Sequence, residues 1–369
     1  MSNLFESHRI GDLTLPNRVV MAPMTRARGT ADGLATESMA TYFAQRASAG
    51  LLISDGIPPN LVGTASAGIA GLRNDAEAES WRQVTDAVHA GGGRIFAQIM
   101  HGGRMGHETT TGLRPVGPSV VAADSQVFTA AGFVPAPEPR ELAAGEVTEQ
   151  AEAYAAASRR AVDAGFDGVE LHGANGYLIN QFLSSNANLR TDRYGGTIAN
   201  RIRFAVEAAA ATVDAVGAGR VGIRLSPGAG LGDIVEDEMP ELYGALLDEL
   251  GRLDLAYVHL VASAEEEILL DLRRRWGQTL IINPSSWLTR GDSVFGASST
   301  DLASADHWLG LGADLISFGR PYLANPDLVE RLRLGLPLAE ADVATYYAGG
   351  DSGFIDYPAH ADTGQEDVA

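Results

Sequence analysis

Val221-Gly222-Ile223-Arg224-Leu225-Ser226-Pro227 is a short, β-branched, apolar stretch that ends on a proline. Apolar residues in succession, without polar alternation, mark a strand covered on both faces, as in a parallel sheet. Seven other stretches read the same way: Arg18–Met24, Gly50–Gly56, Arg94–Ile99, Gly168–Gly173, Leu255–Ala262, Thr279–Pro284 and Leu315–Arg320. Segments of helical period separate them, among them Glu37–Ala49, Glu77–Ala90, Thr148–Ala164, Thr197–Val216 and Met239–Leu250. Ala264–Trp276, Thr300–Leu311 and Pro326–Leu334 complete the set. Eight strand–helix units in series specify an α/β chain folded as a (β/α)₈ TIM barrel. No GxGxxG follows the first strand, which argues against an open dinucleotide-binding sheet. Without an interdomain linker or internal repeat, the expectation is a single domain over residues 1–369. Two stretches exceed a minimal barrel. Residues 101–146, after strand three, are expected to form an extended loop acting as a cap, and 285–299, after strand seven, a polar excursion.

Composition removes whole classes of chemistry. All 27 basic residues are arginines, and neither lysine nor cysteine occurs anywhere. Schiff-base amines, P-loop lysines, thiol nucleophiles, disulfides, cysteine-ligated zinc and iron–sulfur clusters are therefore excluded. With 47 acidic residues the net charge is −20, unsuited to neutralising the phosphates of a nucleic acid. No run approaches the ~20 apolar residues of a membrane span, and the first residues lack a signal pattern. A cytoplasmic monomer or homodimer without membrane or nucleic-acid partners is expected. No metal-ligand spacing such as HExxH is found, so no metal site is expected.

Chemistry in a barrel of this kind gathers at the carboxyl ends of the strands. Arg224 sits among apolar residues and must find a partner. That partner is either a carboxylate, in a structural ion pair, or an anionic cofactor. Gly319-Arg320 ends the last strand, where loops commonly bind phosphate, although a surface arginine there is also commonplace. His172-Gly173-Ala174-Asn175-Gly176-Tyr177 can aim an imidazole N–H and a carboxamide at one oxygen, with the tyrosine as proton donor. The bland alternative is a structural histidine. Gln98 offers a donor and an acceptor suited to a uracil-like edge, or else pairs with neighbouring backbone.

The chain resembles the Old Yellow Enzyme family of FMN-dependent ene-reductases. The motifs that carry the resemblance are Met21-Ala22-Pro23-Met24-Thr25-Arg26, Gly93-Arg94-Ile95-Phe96-Ala97-Gln98, His172-Gly173-Ala174-Asn175-Gly176-Tyr177-Leu178, Asp192-Arg193-Tyr194-Gly195-Gly196, Arg224-Leu225-Ser226-Pro227 and Phe318-Gly319-Arg320-Pro321. The resemblance implies FMN as cofactor and NADPH or NADH as reductant. It implies that Thr25 bonds the flavin beside N5, with Pro23 and Gly56 against the cofactor. Gln98 would pair with the pyrimidine edge, Arg224 would face N1, and Gly319 and Arg320 would hold the phosphate. His172 and Asn175 would grip the substrate oxygen, and Tyr177 would donate a proton. The implied reaction is ping-pong hydride transfer from flavin N5 to a small-molecule activated alkene, an α,β-unsaturated carbonyl or nitro compound.

Three departures bear on the pocket. Met100 replaces a tryptophan common in relatives, Phe354 stands where relatives often place a tyrosine over the active site, and the phosphate loop after strand seven is altered to Ser285-Ser286-Trp287. Thr25 separates the chain from a branch with cysteine there. Reductive attack on nitrate esters or nitroaromatics keeps the flavin and changes the product. A non-redox FMN or ligand carrier, or a phosphate-binding lyase on the same fold, belongs to other classes.

Overall fold

The computed structural model describes residues 2–284, 299–347 and 349–360. Eight strands form the barrel: β1 Val19–Met21, β2 Leu51–Ile57, β3 Ile95–Ile99, β4 Gly168–Gly173, β5 Val221–Leu225, β6 Tyr257–Val261, β7 Leu280–Asn283 and β8 Leu315–Phe318. All pair in parallel with their sequence neighbours, and β8 closes onto β1. Every residue of these strands is buried, as the unalternating apolar runs require. The principal helix after each strand packs outside the barrel: α1 Glu37–Ala44, α2 Asp75–Ala90, α3 Ala144–Asp163, α4 Arg203–Val216, α5 Met239–Leu250, α6 Glu266–Arg275, α7 Leu302–Gly310 and α8 Leu328–Leu334. Side-chain caps set several starts: Thr36 accepts the Met39 N–H, Asn74 that of Glu77, and Asp301 that of Ser304. Helix α1 stops five residues short of the expected Ala49. Beyond it Arg46 turns inward, and its guanidinium donates to the Tyr42, Tyr322 and Leu323 carbonyls.

Inward-pointing residues alternate along each strand and stack in layers. The lowest layer is apolar, with Val20, Leu51, Ile53, Phe96, Tyr257, Ile281 and Leu315 in one cluster. A hairpin, His8–Ile10 with Leu13–Leu15, adds Ile10 and Leu15 to the same cluster. Two residues further along the strands come polar groups: Gln98, Glu170, His259 and Ser317, all at most 2% exposed. His172 and Arg224, opposite one another in register, lie nearer the carboxyl ends.

The excursion after β3 carries the hairpin Gln126–Thr129 and Gly132–Pro135, and a short parallel pair, Val116–Gly117 with Arg140–Glu141. The excursion after β7 falls, apart from Ser299 at its end, outside the described residues. Among the described residues, no helix is long and apolar enough to cross a membrane.

Candidate active site

A cavity of about 670 Å³ opens at the carboxyl ends of the strands, within the ~300–1,000 Å³ of ordinary ligand sites. Pro23, Thr25, Gln98, Met100, His172, Asn175, Tyr177, Arg224, Gly319 and Arg320 all line it. Residues spread over three hundred positions thus converge because every strand delivers its exit to the same rim.

Strand β4 and the turn after it build one wall. His172 is 4% exposed, and its Nδ1 accepts the Ala174 N–H at 3.3 Å. That bond leaves Nε2 as the protonated nitrogen of the neutral ring. Burial, then Arg224 and His259, hold the imidazole well below its ordinary pKa, so the ring is neutral at pH 7. Asn175 adopts a left-handed backbone (φ 57°) and Gly176 follows at φ 83°, making a turn that swings the asparagine over the cavity. Ser226, after β5, fixes that turn by accepting the Asn175 N–H at 2.9 Å. Among the described residues, Asn175 Oδ1 finds no hydrogen-bond partner. The Tyr177 ring lies 4.9 Å from His172 and packs against Ala65, Ile69 and Met100. Burial, and Tyr347 nearby, push its hydroxyl up to about 12.

Arg224 carries the electrostatics of the floor. It is 4% exposed, and its Nε and Nη1 find no hydrogen-bond partner among the described residues. An unpaired buried guanidinium is costly, so its donors at a cavity wall call for an anionic or oxygen-rich ligand. A Cβ built on Gly319 would meet only Met24 Sδ, at 3.7 Å, which leaves room for a ligand to approach the backbone there. Gln98 supplies amide hydrogen-bonding groups at the floor. Cations at two points, an amide edge between apolar walls, and open backbone beside Arg320 fit a flavin mononucleotide with its pyrimidine edge and phosphate.

Two expected residues lie outside the lining. Gly56 is buried behind Met100, and a Cβ there would come within 2.6 Å of the methionine sulfur. Phe354, 1% exposed, stacks on Tyr42 with ring centroids 4.2 Å apart, under the guanidinium groups of Arg26 and Arg28. Its place is therefore in the support behind the site, and Tyr346 and Tyr347 line the cavity instead. The cause is a clamp: Arg26 donates to the Thr345, Tyr346 and Gly353 carbonyls, and Arg28 to those of Thr345, Tyr346, Gly350 and Ser352. The clamp folds the tail back so that the tyrosine pair, with no periodicity to announce it, reaches the mouth. Phe128 and Phe133 of the hairpin join Tyr347 there, with ring centroids 5.2–6.4 Å apart. The β-prone pairs Val127-Phe128 and Phe133-Val134, separated by a short stretch ending in Gly132, are the sequence signal for that hairpin. The altered phosphate loop at Ser285-Ser286-Trp287 lies outside the described residues.

A parallel eight-stranded barrel with a carboxyl-end cavity that fits FMN agrees with the flavin-dependent oxidoreductase class implied by the sequence motifs. The sequence matches the NADH:flavin oxidoreductase / NADH oxidase family over residues 3–339, and the chain belongs to that family, the Old Yellow Enzyme family of FMN-dependent oxidoreductases. Among relatives, a protein of Leishmania infantum described as a probable flavin mononucleotide-dependent alkene reductase is 37% identical, over 95% of each chain. Morphinone reductase, solved in complex with tetrahydroNAD, is 39% identical with a TM-score of 0.90, over 97% of this chain and 98% of its own. The old yellow enzyme homologue of Zymomonas mobilis is 36% identical with a TM-score of 0.89, over 96% and 99%. The protein is therefore an FMN-dependent oxidoreductase of this family.

Proposed function

We propose that the enzyme reduces the activated C=C bond of α,β-unsaturated carbonyl or nitro compounds, with NADPH or NADH and the alkene using one cavity in turn. The chain, residues 1–369, acts in this reading as a single FMN-binding barrel domain. When bound, FMN would supply the hydride chemistry that links nicotinamide oxidation to alkene reduction.

The observation that carries the reading is the wall of His172, Asn175 and Tyr177, three hydrogen-bonding side chains on one rim of the cavity. Neutral His172 donates from Nε2, and the Asn175 amide donates beside it, both to the carbonyl or nitro oxygen. Fixed donors at that oxygen stabilise the negative charge that develops there. Tyr177, kept protonated by burial, delivers a proton to the α-carbon. On the cofactor side, Arg224 and Gln98 would hold the pyrimidine edge, Pro23 and Thr25 would flank the ring, and Gly319 with Arg320 would hold the phosphate. Met100, slim and flexible, leaves the substrate side adaptable. The Phe128, Phe133 and Tyr347 rings favour a flat, apolar substrate body at the mouth.

Purified protein is expected to be yellow, bleached by NADPH and recoloured by cyclohexenone. Colourless protein that takes up no added FMN contradicts the proposal. The Tyr177→Phe variant should lose ~10²–10⁴-fold in alkene reduction while flavin reduction by nicotinamide persists. Equal losses in both half-reactions reject Tyr177 as proton donor.

A further inference from the structure

Below Arg224 the barrel interior holds a carboxylate, Glu170, with no exposed surface. It points inward from β4, two residues before His172 and on the same face of the strand. Gln98 Nε2 donates to its Oε1 at 2.8 Å, and His259 Nδ1 bonds its Oε2 at 2.9 Å. On the far side of that imidazole, Nε2 pairs with Ser317 Oγ at 2.8 Å, and Asn283 Nδ2 donates to the same hydroxyl. An ionised carboxylate only accepts hydrogen bonds, so the arrangement has one sense. Donation passes from Asn283 to Ser317, from Ser317 to His259, and from His259 to Glu170, while Gln98 donates from the other flank. Burial and Arg224 keep His259 neutral, in keeping with a single proton on Nδ1.

Two consequences reach the cavity. First, the Gln98 amide cannot flip, because its carbonyl oxygen would then face a carboxylate. Glu170 thus fixes which amide atom faces the carboxylate and leaves the Gln98 carbonyl oxygen as acceptor for a ligand N–H. Second, Glu170 exerts its charge on Arg224, whose Nε and Nη1 find no hydrogen-bond partner among the described residues. A carboxylate held by Gln98 and His259, rather than by Arg224, offsets the arginine's field without occupying its hydrogen bonds.

We infer that Glu170 is a positioning residue of the flavin site, fixing the orientation of Gln98 and setting the net charge that Arg224 presents to the cofactor. This inference rests on the FMN-binding reading above. Reduction places negative charge on the cofactor's pyrimidine side, where Arg224 attracts it and Glu170 opposes it. Removing the Glu170 charge while keeping its shape should therefore favour the reduced form.

The test measures FMN dissociation constants in the oxidised and reduced states, and the midpoint potential, for wild type, Glu170→Gln and Glu170→Asp. Glu170→Gln should raise the ratio of oxidised to reduced dissociation constants about tenfold, for a charge acting through an effective dielectric near 20. That corresponds to a potential about 30 mV more positive for a two-electron couple. Glu170→Asp keeps the charge and withdraws it from Gln98 and His259. Its potential should stay near wild type while oxidised FMN binds about tenfold more weakly, the loss of a hydrogen bond to a charged group. An unchanged Glu170→Gln potential overturns the charge role, and unchanged Glu170→Asp affinity overturns the anchoring role. Should Glu170→Gln fail to fold, imidazole ¹⁵N shifts of His259 in the unaltered protein decide, because the inference requires a neutral ring protonated on Nδ1. A ring protonated on Nε2, or charged, overturns it. Wild-type protein that binds no FMN refutes the underlying cofactor reading instead.

Discussion

Replacing Arg224 by methionine separates a structural arginine from a cofactor-binding one. Methionine matches the length of the aliphatic stem and removes the guanidinium. Arg224 Nε and Nη1 are buried and meet no hydrogen-bond partner among the described residues. Each unsatisfied buried donor costs ~1–3 kcal/mol. Attraction between Arg224 and Glu170 returns a few kcal/mol at an effective dielectric near 20. The two effects oppose one another, so the variant apoprotein should unfold at the wild-type urea concentration or slightly above it. FMN binding should behave differently. A hydrogen bond to a charged group is worth ~1.5–3 kcal/mol, so the FMN dissociation constant should rise about 10- to 150-fold. Urea unfolding of the apoprotein and titration of FMN fluorescence measure the two quantities independently. Should the apoprotein lose more than ~2 kcal/mol while FMN affinity stays unchanged, Arg224 is a structural partner of Glu170 and not a cofactor ligand.

Two other predictions rest on different parts of the site. The His172 pKa is lowered, so the ring charges only well below its ordinary range, and the Tyr177 pKa is raised to about 12, so its hydroxyl ionises only well above its own. Both shifts widen the window in which the donors are intact, so single-turnover reoxidation by an enone should be flat from about pH 6 to about pH 10. A titration near 6.5 would show that His172 charges in the working enzyme. Phe354→Ala opens a cavity between Tyr42, Arg26 and Arg28 and should cost on the order of 3–5 kcal/mol in thermal or urea unfolding. The alkene KM should rise as well, because the tail that carries Tyr346 and Tyr347 loosens. A stable variant with normal KM would mean that the arginine clamp alone positions the tail.

The barrel was legible in the unfolded chain, because a strand buried on both faces leaves an unbroken apolar run, and eight such runs alternating with helices allow few other arrangements. The sequence also exposed Arg224, since a charge inside such a run is conspicuous. The same logic applied to Glu170, in the run Gly168-Val169-Glu170-Leu171-His172-Gly173, but among 47 acidic residues one carboxylate attracts no notice. Only the closed barrel shows that Glu170 meets Gln98 and His259, because those partners come from strands 72 and 89 residues away. Tyr347 and Phe354 make the same point from the irregular tail. No periodicity distinguishes which aromatic faces the cavity and which stacks behind it. That choice belongs to Arg26 and Arg28, which hold the tail by its carbonyls from more than three hundred residues away. Burial patterns are local and survive in a one-dimensional reading; pairings between distant polar groups exist only once the chain has closed on itself.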